Sequence, residues 1–280
     1  MFNKVLLICL ILVTIFSSIT VGASKPKKKS KFTVHYQLDD FKWKPALPEL
    51  DSQLRIQSRR IKEQEVIVRG IRTTGVNMYE DSQAKLETQA LQTMVQHYIL
   101  LRHGPGPHYV EIQLTFPTFT NTHAATYEAS IIMEVAPEQL VPYSAYKWLQ
   151  IVDHFNSGSF HRIPRHVVQA QVRGSDLTSL AFQEYSPEYP HERLTMGFAG
   201  RPGGPAFYIS AVNNTKNHGP GSQNTKTGEA DSCFGRILVG EDVLLRMLNL
   251  PVKSAKSGGF LSNSKEWVTI SDLKLVSYSP

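Results

Sequence analysis

The sequence is poor in cysteine, with Cys9 and Cys233 the two such residues among 280. Because Cys9 lies in an apolar run near the N-terminus, no disulfide can form within a folded domain, and the lack of a CxxC pair excludes a zinc site of that type. Cys233 begins the segment Cys-Phe-Gly-Arg-Ile-Leu-Val. This pattern predicts a small buried residue in a strand rather than a reactive thiol.

The sequence also lacks the local patterns of several common catalytic sites. The glycine- and proline-rich segment 201–205 has no GxxxxGK[ST] pattern and no helix pattern after it, so it is interpreted as a turn rather than a phosphate cradle. No Ser/His/Asp or paired-carboxylate arrangement is evident. His154, His161 and His166 are spaced by seven and five residues, which favours structural roles over a shared metal ion. We therefore expect no metal and no other cofactor.

Excess charge is absent from the body of the chain, although the formal net charge is +6. Six lysines are the only charged residues before position 32, and without them the remaining 24 basic residues balance 24 acidic ones. A nucleic-acid-binding domain normally carries its positive charge on the folded domain itself. A nucleic-acid partner is therefore not expected. Apolar residues at 41% and charged residues at 19% are typical of a globular protein.

An uncharged apolar run covers residues 5–21. It is longer than the core of a signal peptide and close to the roughly 20 residues of a spanning helix. Small residues at 21–23 favour a cleaved signal, whereas the length of the run favours an uncleaved anchor. Lysines at 25–31 favour a cytosolic C-terminal part, but the glycosylation sequon at Asn213 favours the secretory pathway.

We expect residues 1–23 to be a signal peptide or a signal anchor. The protein would then associate with the membrane through this segment, as a single-pass protein of the endoplasmic reticulum or Golgi. It would be secreted if the signal is cleaved. Residues 24–50 contain Lys, Pro and Ser without periodicity and are interpreted as a linker.

Residues 51–104 are predicted to form a partly helical stem. Within it, residues 54–68 fit either a short heptad-spaced helix or a strand at 65–69. A stronger helix pattern covers 81–102 and is stopped by a Gly-Pro pair. The predicted apolar face of this helix consists of Leu91, Met94, Val95, Tyr98 and Leu101. One hypothesis is that this helix docks a partner of a membrane-tethered accessory protein.

Beyond residue 104 the pattern changes to short alternating strands separated by turns, with two helices. The predicted strands are 108–116, 129–135, 160–163, 167–172, 194–198, 206–211, 234–239 and 267–276. The predicted helices are 144–153 and 240–248. This set of predicted strands and helices indicates a mostly-β barrel or sandwich flanked by helices.

Five segments, taken in order, resemble those of cyclophilins, the peptidyl-prolyl isomerases. They are Val141-Pro-Tyr-Ser-Ala-Tyr-Lys-Trp-Leu, Phe160-His-Arg-Ile, Leu194-Thr-Met-Gly-Phe-Ala-Gly, Ala206-Phe-Tyr-Ile and Cys233-Phe-Gly-Arg-Ile-Leu-Val. The resemblance implies a closed eight-stranded barrel capped by two helices over residues 105–280. Their shared order is more specific than any single segment.

The same resemblance implies a site. Arg162 stands at the catalytic arginine position of the family, and Gln169 at the glutamine that supports it. The implied substrate-binding positions are Phe160, His166, Val167, Ala206, Phe207 and Asp231. Several differ from the family pattern, because His166 replaces a phenylalanine, Asp231 replaces a histidine, and the loop before Asp231 has no tryptophan. Phe198 likewise replaces an asparagine that contacts the substrate backbone.

The implied chemistry needs a cation and an apolar pocket. Rotation about an X–Pro bond has a barrier of about 18–20 kcal/mol because the nitrogen lone pair is delocalised into the carbonyl. A cation that donates a hydrogen bond to that nitrogen weakens the delocalisation. We therefore expect a protein that binds proline-containing polypeptide segments, with isomerase activity that is weak or lost. The alternative is a non-catalytic binding or scaffold module with a degenerate proline pocket.

Overall fold

Eight antiparallel strands form a closed barrel. They are Tyr109–Phe116 (β1), Tyr127–Val135 (β2), Phe155–Arg162 (β3), Val167–Gly174 (β4), Thr195–Gly200 (β5), Gly203–Ser210 (β6), Cys233–Val239 (β7) and Val268–Val276 (β8). Hydrogen bonding connects them in the order β1-β2-β7-β5-β6-β4-β3-β8, and β8 pairs with β1 to close the ring. The prediction of a mostly-β barrel with a few helices is confirmed.

The computed structural model describes residues 48–57, 59, 78–118, 127–201, 203–222, 230–250, 258–261 and 263–279. The predicted signal or anchor at 1–23, nearly all of the linker, and the alternative strand at 65–69 lie outside these residues. Among the helices that are described, none has the length and apolar character needed to cross a membrane.

Helices also accompany the barrel. They are Met78–His103 (α1), Pro142–Asp153 (α2), the single turn Thr215–His218 (α3) and Glu241–Leu248 (α4). Residues 48–57 are also helical, and a 3₁₀ turn covers Ser264–Glu266. Helix α2 contacts β7 and β8, and α4 contacts β2 and β4. Both therefore cover the barrel as the strand and helix patterns predicted.

Strand alternation places apolar side chains inside the barrel. In β1 every second residue is buried, because successive side chains of a strand lie on opposite faces. The centre is aromatic: the Trp148 ring of α2 lies 4.6 Å from the Phe234 ring and 5.1 Å from the Phe207 ring. Phe160 meets Phe207 edge to face at 5.7 Å. These rings fill the interior, so the site must lie on the outside of the barrel.

Helix α1 packs into the same core as the barrel. Leu91 and Val95 are buried, as predicted, and Met94 and Tyr98 pack partly buried against the core. Ile99, which was not assigned to the predicted apolar face, is also buried. The helical pattern was thus right, while the buried stripe includes Ile99 and leaves Leu101 only partly buried.

A β-bulge sets the orientation of the end of β3. Phe160 pairs with Ala170, and Arg162 pairs with Gln169, so His161 is the extra residue between them. Without the bulge, Arg162 would lie on the same face as the buried Phe160, two residues earlier. The bulge instead turns Arg162 to the outer face. The strand register then places one residue each of β3, β4, β6 and β5 side by side in a row: Arg162–Gln169–Tyr208–Gly197.

Candidate functional site

Two hydrogen bonds hold the Arg162 guanidinium on the outer face. Its Nη1 donates to Gln169 Oε1 at 2.7 Å, and its Nε donates to the carbonyl oxygen of Gly258 at 2.9 Å. Arginine presents its donors in a rigid planar fork, so two fixed acceptors set the direction of the whole group. Among the described residues no acceptor bonds Nη2. That nitrogen can therefore donate to a ligand.

The segment 258–261 supplies the second acceptor. It runs against the end of β3, where the Ile163 amide donates to the Gly259 carbonyl oxygen at 2.7 Å. Gly259 has a φ of +81°, and a Cβ there would lie 2.6 Å from the Ile163 carbonyl. Both the conformation and the close approach require glycine. The glycine pair thus lets the loop approach closely enough for the Gly258 carbonyl to reach Arg162.

An exposed aromatic ring flanks Arg162 on this side. The Phe260 ring lies 5.2 Å from the guanidinium carbon and is 48% exposed. His161, the bulge residue, lies 6.0 Å from Phe260 and 5.7 Å from Trp267, measured between ring centroids. A cation beside an accessible aromatic ring offers a ligand both hydrogen-bond donors and an apolar surface. The resemblance did not assign Phe260, although a Gly-Gly-Phe segment just before the last strand was visible in the sequence.

A buried polar cluster lies on the side of the Arg162–Gln169–Tyr208–Gly197 row that is opposite Phe260. The carboxylate of Asp231 accepts hydrogen bonds from Arg201 Nε at 2.7 Å, from His218 Nδ1 at 2.5 Å and from the Tyr208 hydroxyl at 3.2 Å. The backbone carbonyl of Asp231 accepts from His191 Nε2 at 2.8 Å. The Tyr208 and His218 rings stack at 4.5 Å. Polar side chains that are hydrogen-bonded to one another therefore fill this region.

Burial and pairing fix the charges in this cluster. Burial by itself raises the pKa of Asp231, but hydrogen bonds from His218 and Arg201 outweigh it, so the pKa lies below its usual value. Burial lowers the pKa of His191 to about 4, so this ring is neutral at pH 7. Burial also raises the pKa of Tyr208 well above its usual value. At neutral pH the cluster contains a carboxylate paired with Arg201 and a protonated phenol.

His166 lies between Arg162 and the buried cluster. Its ring stacks on that of His218 at 5.8 Å, and its Nδ1 donates to the carbonyl of Pro164 at 3.2 Å. Its own carbonyl accepts from the Asn214 side chain, which ties it to the loop before α3. Burial lowers the pKa of His166, and the hydrogen bond to Pro164 opposes this only partly. Arg162 therefore remains the dominant positive charge at this position.

The structure brings some of the predicted site residues together and separates others. Arg162 and Gln169 are in direct contact, and His166 lies beside His218, which bonds Asp231. Asp231 is buried, as is Val167 on the outer face. Ala206 lies partly exposed on β6.

Phe160 and Phe207 are in the barrel interior, both fully buried. They pack against each other and are turned away from Arg162. Tyr208, the neighbour of Phe207, occupies the outer face opposite Gln169. Alternation along β6 contained this signal, since the buried Ile209 and Phe207 lie on one face and Tyr208 on the other.

Phe198, which replaces an asparagine in the implied site, is also fully buried, with its ring 4.4 Å from that of Phe234. Cys233 is buried, and burial raises the pKa of its thiol to about 12, as expected of a structural residue. Asn213 is exposed in the loop before α3. Nowhere among the described residues do three or more His, Cys, Asp or Glu side chains gather in a way that could hold a metal ion.

Comparison with models of known protein families and with curated proteins finds no match for this chain. The geometry around Arg162 is therefore the basis for assigning a function. That geometry offers a fixed cation, an exposed aromatic ring on one side, and a filled polar region on the other. These groups can donate a hydrogen bond to a ligand and contact an apolar part of it.

Proposed function

We propose that the chain is a cyclophilin-like module that binds proline-containing polypeptide segments across Arg162 and has little isomerase activity. Five sequence segments in cyclophilin order and the closed eight-stranded barrel support this proposal. The observation that carries it is the Arg162 guanidinium, aimed by Gln169 and Gly258 beside the exposed Phe260 ring. A donor fixed in this way binds a peptide carbonyl with little loss of side-chain entropy.

Binding is favoured over catalysis because the proline pocket is filled. Catalysis needs an apolar cavity that holds the proline ring beside the cation. Next to Arg162, the positions on the cluster side are His166, Tyr208 and the buried His218–Asp231 pair. Opening a cavity there would break hydrogen bonds of a buried carboxylate, which is costly. The exposed face of Phe260 offers an apolar contact without such a cost.

The proposed location of the module is the secretory pathway, with residues 1–23 as signal peptide or signal anchor. The uncharged apolar run and the exposed sequon asparagine support this location. A polypeptide-binding module in that compartment would meet nascent or secreted chains. Its partners would thus be proline-containing polypeptides and the membrane, without nucleic acid.

The proposal is tested by measuring the affinity of a fluorescent Ala-Ala-Pro-Phe peptide by anisotropy. We expect Arg162→Ala to weaken binding about 10- to 100-fold, because a charge-assisted hydrogen bond contributes about 1.5–3 kcal/mol. Arg173→Ala is the matched control, since Arg173 is an exposed arginine of the same β3–β4 pair but lies outside the site. Unchanged affinity in Arg162→Ala would overturn the proposal.

A protease-coupled isomerisation assay on the same peptide separates binding from catalysis. We expect wild type to accelerate the reaction only slightly. A strong acceleration that is lost in Arg162→Ala would instead establish an active isomerase, with Gln169 as the positioning residue of Arg162. Gln169→Ala should then lower the rate as well, because it removes the acceptor that holds Nη1.

A further inference from the structure

Three aromatic rings lie in a row beside Arg162, and we call Phe260, His161 and Trp267 the aromatic row. The His161 ring is in the middle, with its centroid 6.0 Å from that of Phe260 and 5.7 Å from that of Trp267. Arg162 lies at the Phe260 end, where its guanidinium carbon is 5.2 Å from the ring centroid. The bulge of β3 makes this arrangement possible, because two successive residues, His161 and Arg162, lie opposite the single residue Gln169.

Backbone pairing fixes the position of Phe260. The segment 258–261 runs along the end of β3, and Phe260 forms an antiparallel bridge with Arg162. The next amide, that of Leu261, donates to the His161 carbonyl oxygen at 2.9 Å. A residue whose backbone is already held in this way loses little conformational entropy when a ligand contacts its side chain.

Hydrogen bonds also hold the other two rings. The Trp267 Nε1 donates to the Leu261 carbonyl oxygen at 3.4 Å, and the ring packs partly buried against the barrel core. The His161 Nδ1 donates to the Ser159 carbonyl oxygen at 3.4 Å. Both of these side chains are half-buried, whereas Phe260 is 48% exposed. Accessible ring surface therefore occurs along the whole aromatic row, in fixed positions.

The surroundings of Phe260 distinguish it from an isolated exposed apolar residue, which is common on protein surfaces and needs no functional explanation. It adjoins two further accessible rings and a guanidinium whose Nη2 is bonded by no acceptor among the described residues. Aromatic rings pair favourably at centroid separations of about 4.5–7 Å. A cationic ligand group is disfavoured because Arg162 already lies against Phe260. An acidic group would contact Arg162 but leave the rings uncovered.

We propose that the aromatic row binds the side chain of an aromatic residue immediately next to the proline of the bound segment. This inference rests on the proposed function, since the segment must lie across Arg162. Neighbouring residues of a peptide are about 3.8 Å apart between their Cα atoms. Because the guanidinium carbon is 5.2 Å from the Phe260 centroid, a residue adjacent to the one that Arg162 binds can reach the ring.

Fluorescence anisotropy with peptides that differ beside the proline tests the preference. The peptides are Ala-Ala-Pro-Phe, Ala-Phe-Pro-Ala, Ala-Ala-Pro-Ala and Ala-Ala-Pro-Glu, with the same fluorophore on the same spacer. We expect one of the two phenylalanine peptides to bind about 5- to 20-fold more tightly than the alanine peptide, because it adds an aromatic pair and buries apolar surface. Equal affinities of the phenylalanine and alanine peptides would overturn the inference. Tightest binding of the glutamate peptide would also contradict it.

A variant of Phe260 tests the location. Phe260→Ala removes an exposed ring, and we expect it to abolish most of the advantage of the phenylalanine peptide while leaving the affinity of the alanine peptide unchanged. Tyr127→Ala is the matched control, since Tyr127 is an aromatic residue of similar exposure (41%) on β2. An undiminished advantage in Phe260→Ala would exclude the aromatic row as the binding site.

Arg162→Ala separates this inference from the proposed function. If the alanine peptide loses affinity in Arg162→Ala but the phenylalanine peptides have no advantage in wild type, the proposed function stands and the aromatic row is excluded. If the affinity of no peptide depends on Arg162, the proposed function is wrong and the inference is overturned with it.

Discussion

Gly197 is the position where a single added methyl group has the clearest consequence. A Cβ at this residue would lie 2.6 Å from the Tyr208 hydroxyl oxygen and 3.0 Å from the His191 ring. Both neighbours are buried and hydrogen-bonded to Asp231, so neither can move without breaking a polar contact. We expect Gly197→Ala to lower the free energy of unfolding by about 1–3 kcal/mol, as measured by urea denaturation.

A comparison glycine and a double-variant cycle give this prediction its control. Gly221 has a φ of +72°, and a methyl group added there would have no heavy atom within 4 Å, so Gly221→Ala should cost about 1 kcal/mol from the backbone alone. In a Tyr208→Ala background, Gly197→Ala should lose most of its effect, because the clash is gone. Additive losses in the double variant would show that Tyr208 is not the cause.

At the level of single residues, the sequence predicted a contact more reliably than an orientation. The Arg162–Gln169 pair was predicted by resemblance and is present. Phe207 was assigned to substrate binding but lies in the core, and Tyr208 takes the outer face. The orientation of Arg162 itself depends on a one-residue bulge at His161. A bulge changes which face a residue occupies, and no regular alternation pattern predicts it.

Helix α2 depends on a carboxylate from a distant loop. Its N-cap, Val141, has no side-chain cap, and its first turn has no acidic residue. The buried Glu184 instead accepts hydrogen bonds from the Ser144 amide at 2.7 Å and the Tyr143 amide at 3.2 Å, and Gln92 of α1 donates to it at 2.7 Å. One carboxyl group therefore joins α1, α2 and the loop at the N-terminal end of α2, and burial raises its pKa although the hydrogen bonds that it accepts oppose this.

We expect Glu184→Gln to lower the free energy of unfolding by about 1–3 kcal/mol. The amide nitrogen of glutamine would face one of the buried N–H donors, leaving that donor without an acceptor. Urea denaturation at pH 7 measures the effect. Glu188→Gln is the control, since Glu188 is exposed four residues later. Equal stability of the two variants would mean that Glu184 does not cap α2.

At the level of elements, the predictions succeeded where patterns were regular. Strand β1 was predicted at 108–116 and forms at Tyr109–Phe116, with every second side chain buried. The first half of β3 was missed, because its Asn-Ser-Gly-Ser sequence shows no apolar alternation; it is a strand since both its neighbours, β4 and β8, supply hydrogen bonds. Hydrogen bonding to neighbouring strands, rather than the intrinsic preference of the residues, makes such a segment a strand.

The proposed entry of the whole chain into the secretory pathway is tested at one exposed residue. Asn213 is exposed, and among the described residues its side chain accepts a hydrogen bond only from the Thr215 amide, so a sugar could be attached without disturbing the barrel. We expect the full chain, expressed in mammalian cells, to show a glycosidase-sensitive band that is lost in Asn213→Gln. Asn156→Gln, another exposed asparagine outside a sequon, should keep the band. Absence of a shift in wild type would favour the cytosolic orientation indicated by lysines 25–31.

Acid sensitivity is a property of the whole molecule that follows from its buried histidines. Burial lowers the pKa of His191 and of His103 to about 4 each, whereas in an unfolded chain a histidine has a pKa of about 6.5. Between these values the unfolded chain takes up protons that the folded chain does not. The contribution of both residues to stability is therefore complete above about pH 6.5 and is lost as the pH falls towards 4.

We expect the free energy of unfolding, measured in urea at several pH values from 7.5 to 4.5, to decrease with a slope that His191→Gln reduces. The variant removes one titrating ring but keeps an N–H that can reach the Asp231 carbonyl. The number of protons taken up on unfolding should fall by about one near pH 5. This readout compares slopes, so it is independent of any constant loss of stability that the substitution causes. A slope identical to that of wild type would mean that His191 is protonated in the folded protein at this pH, and that Asp231 compensates its charge within the buried cluster.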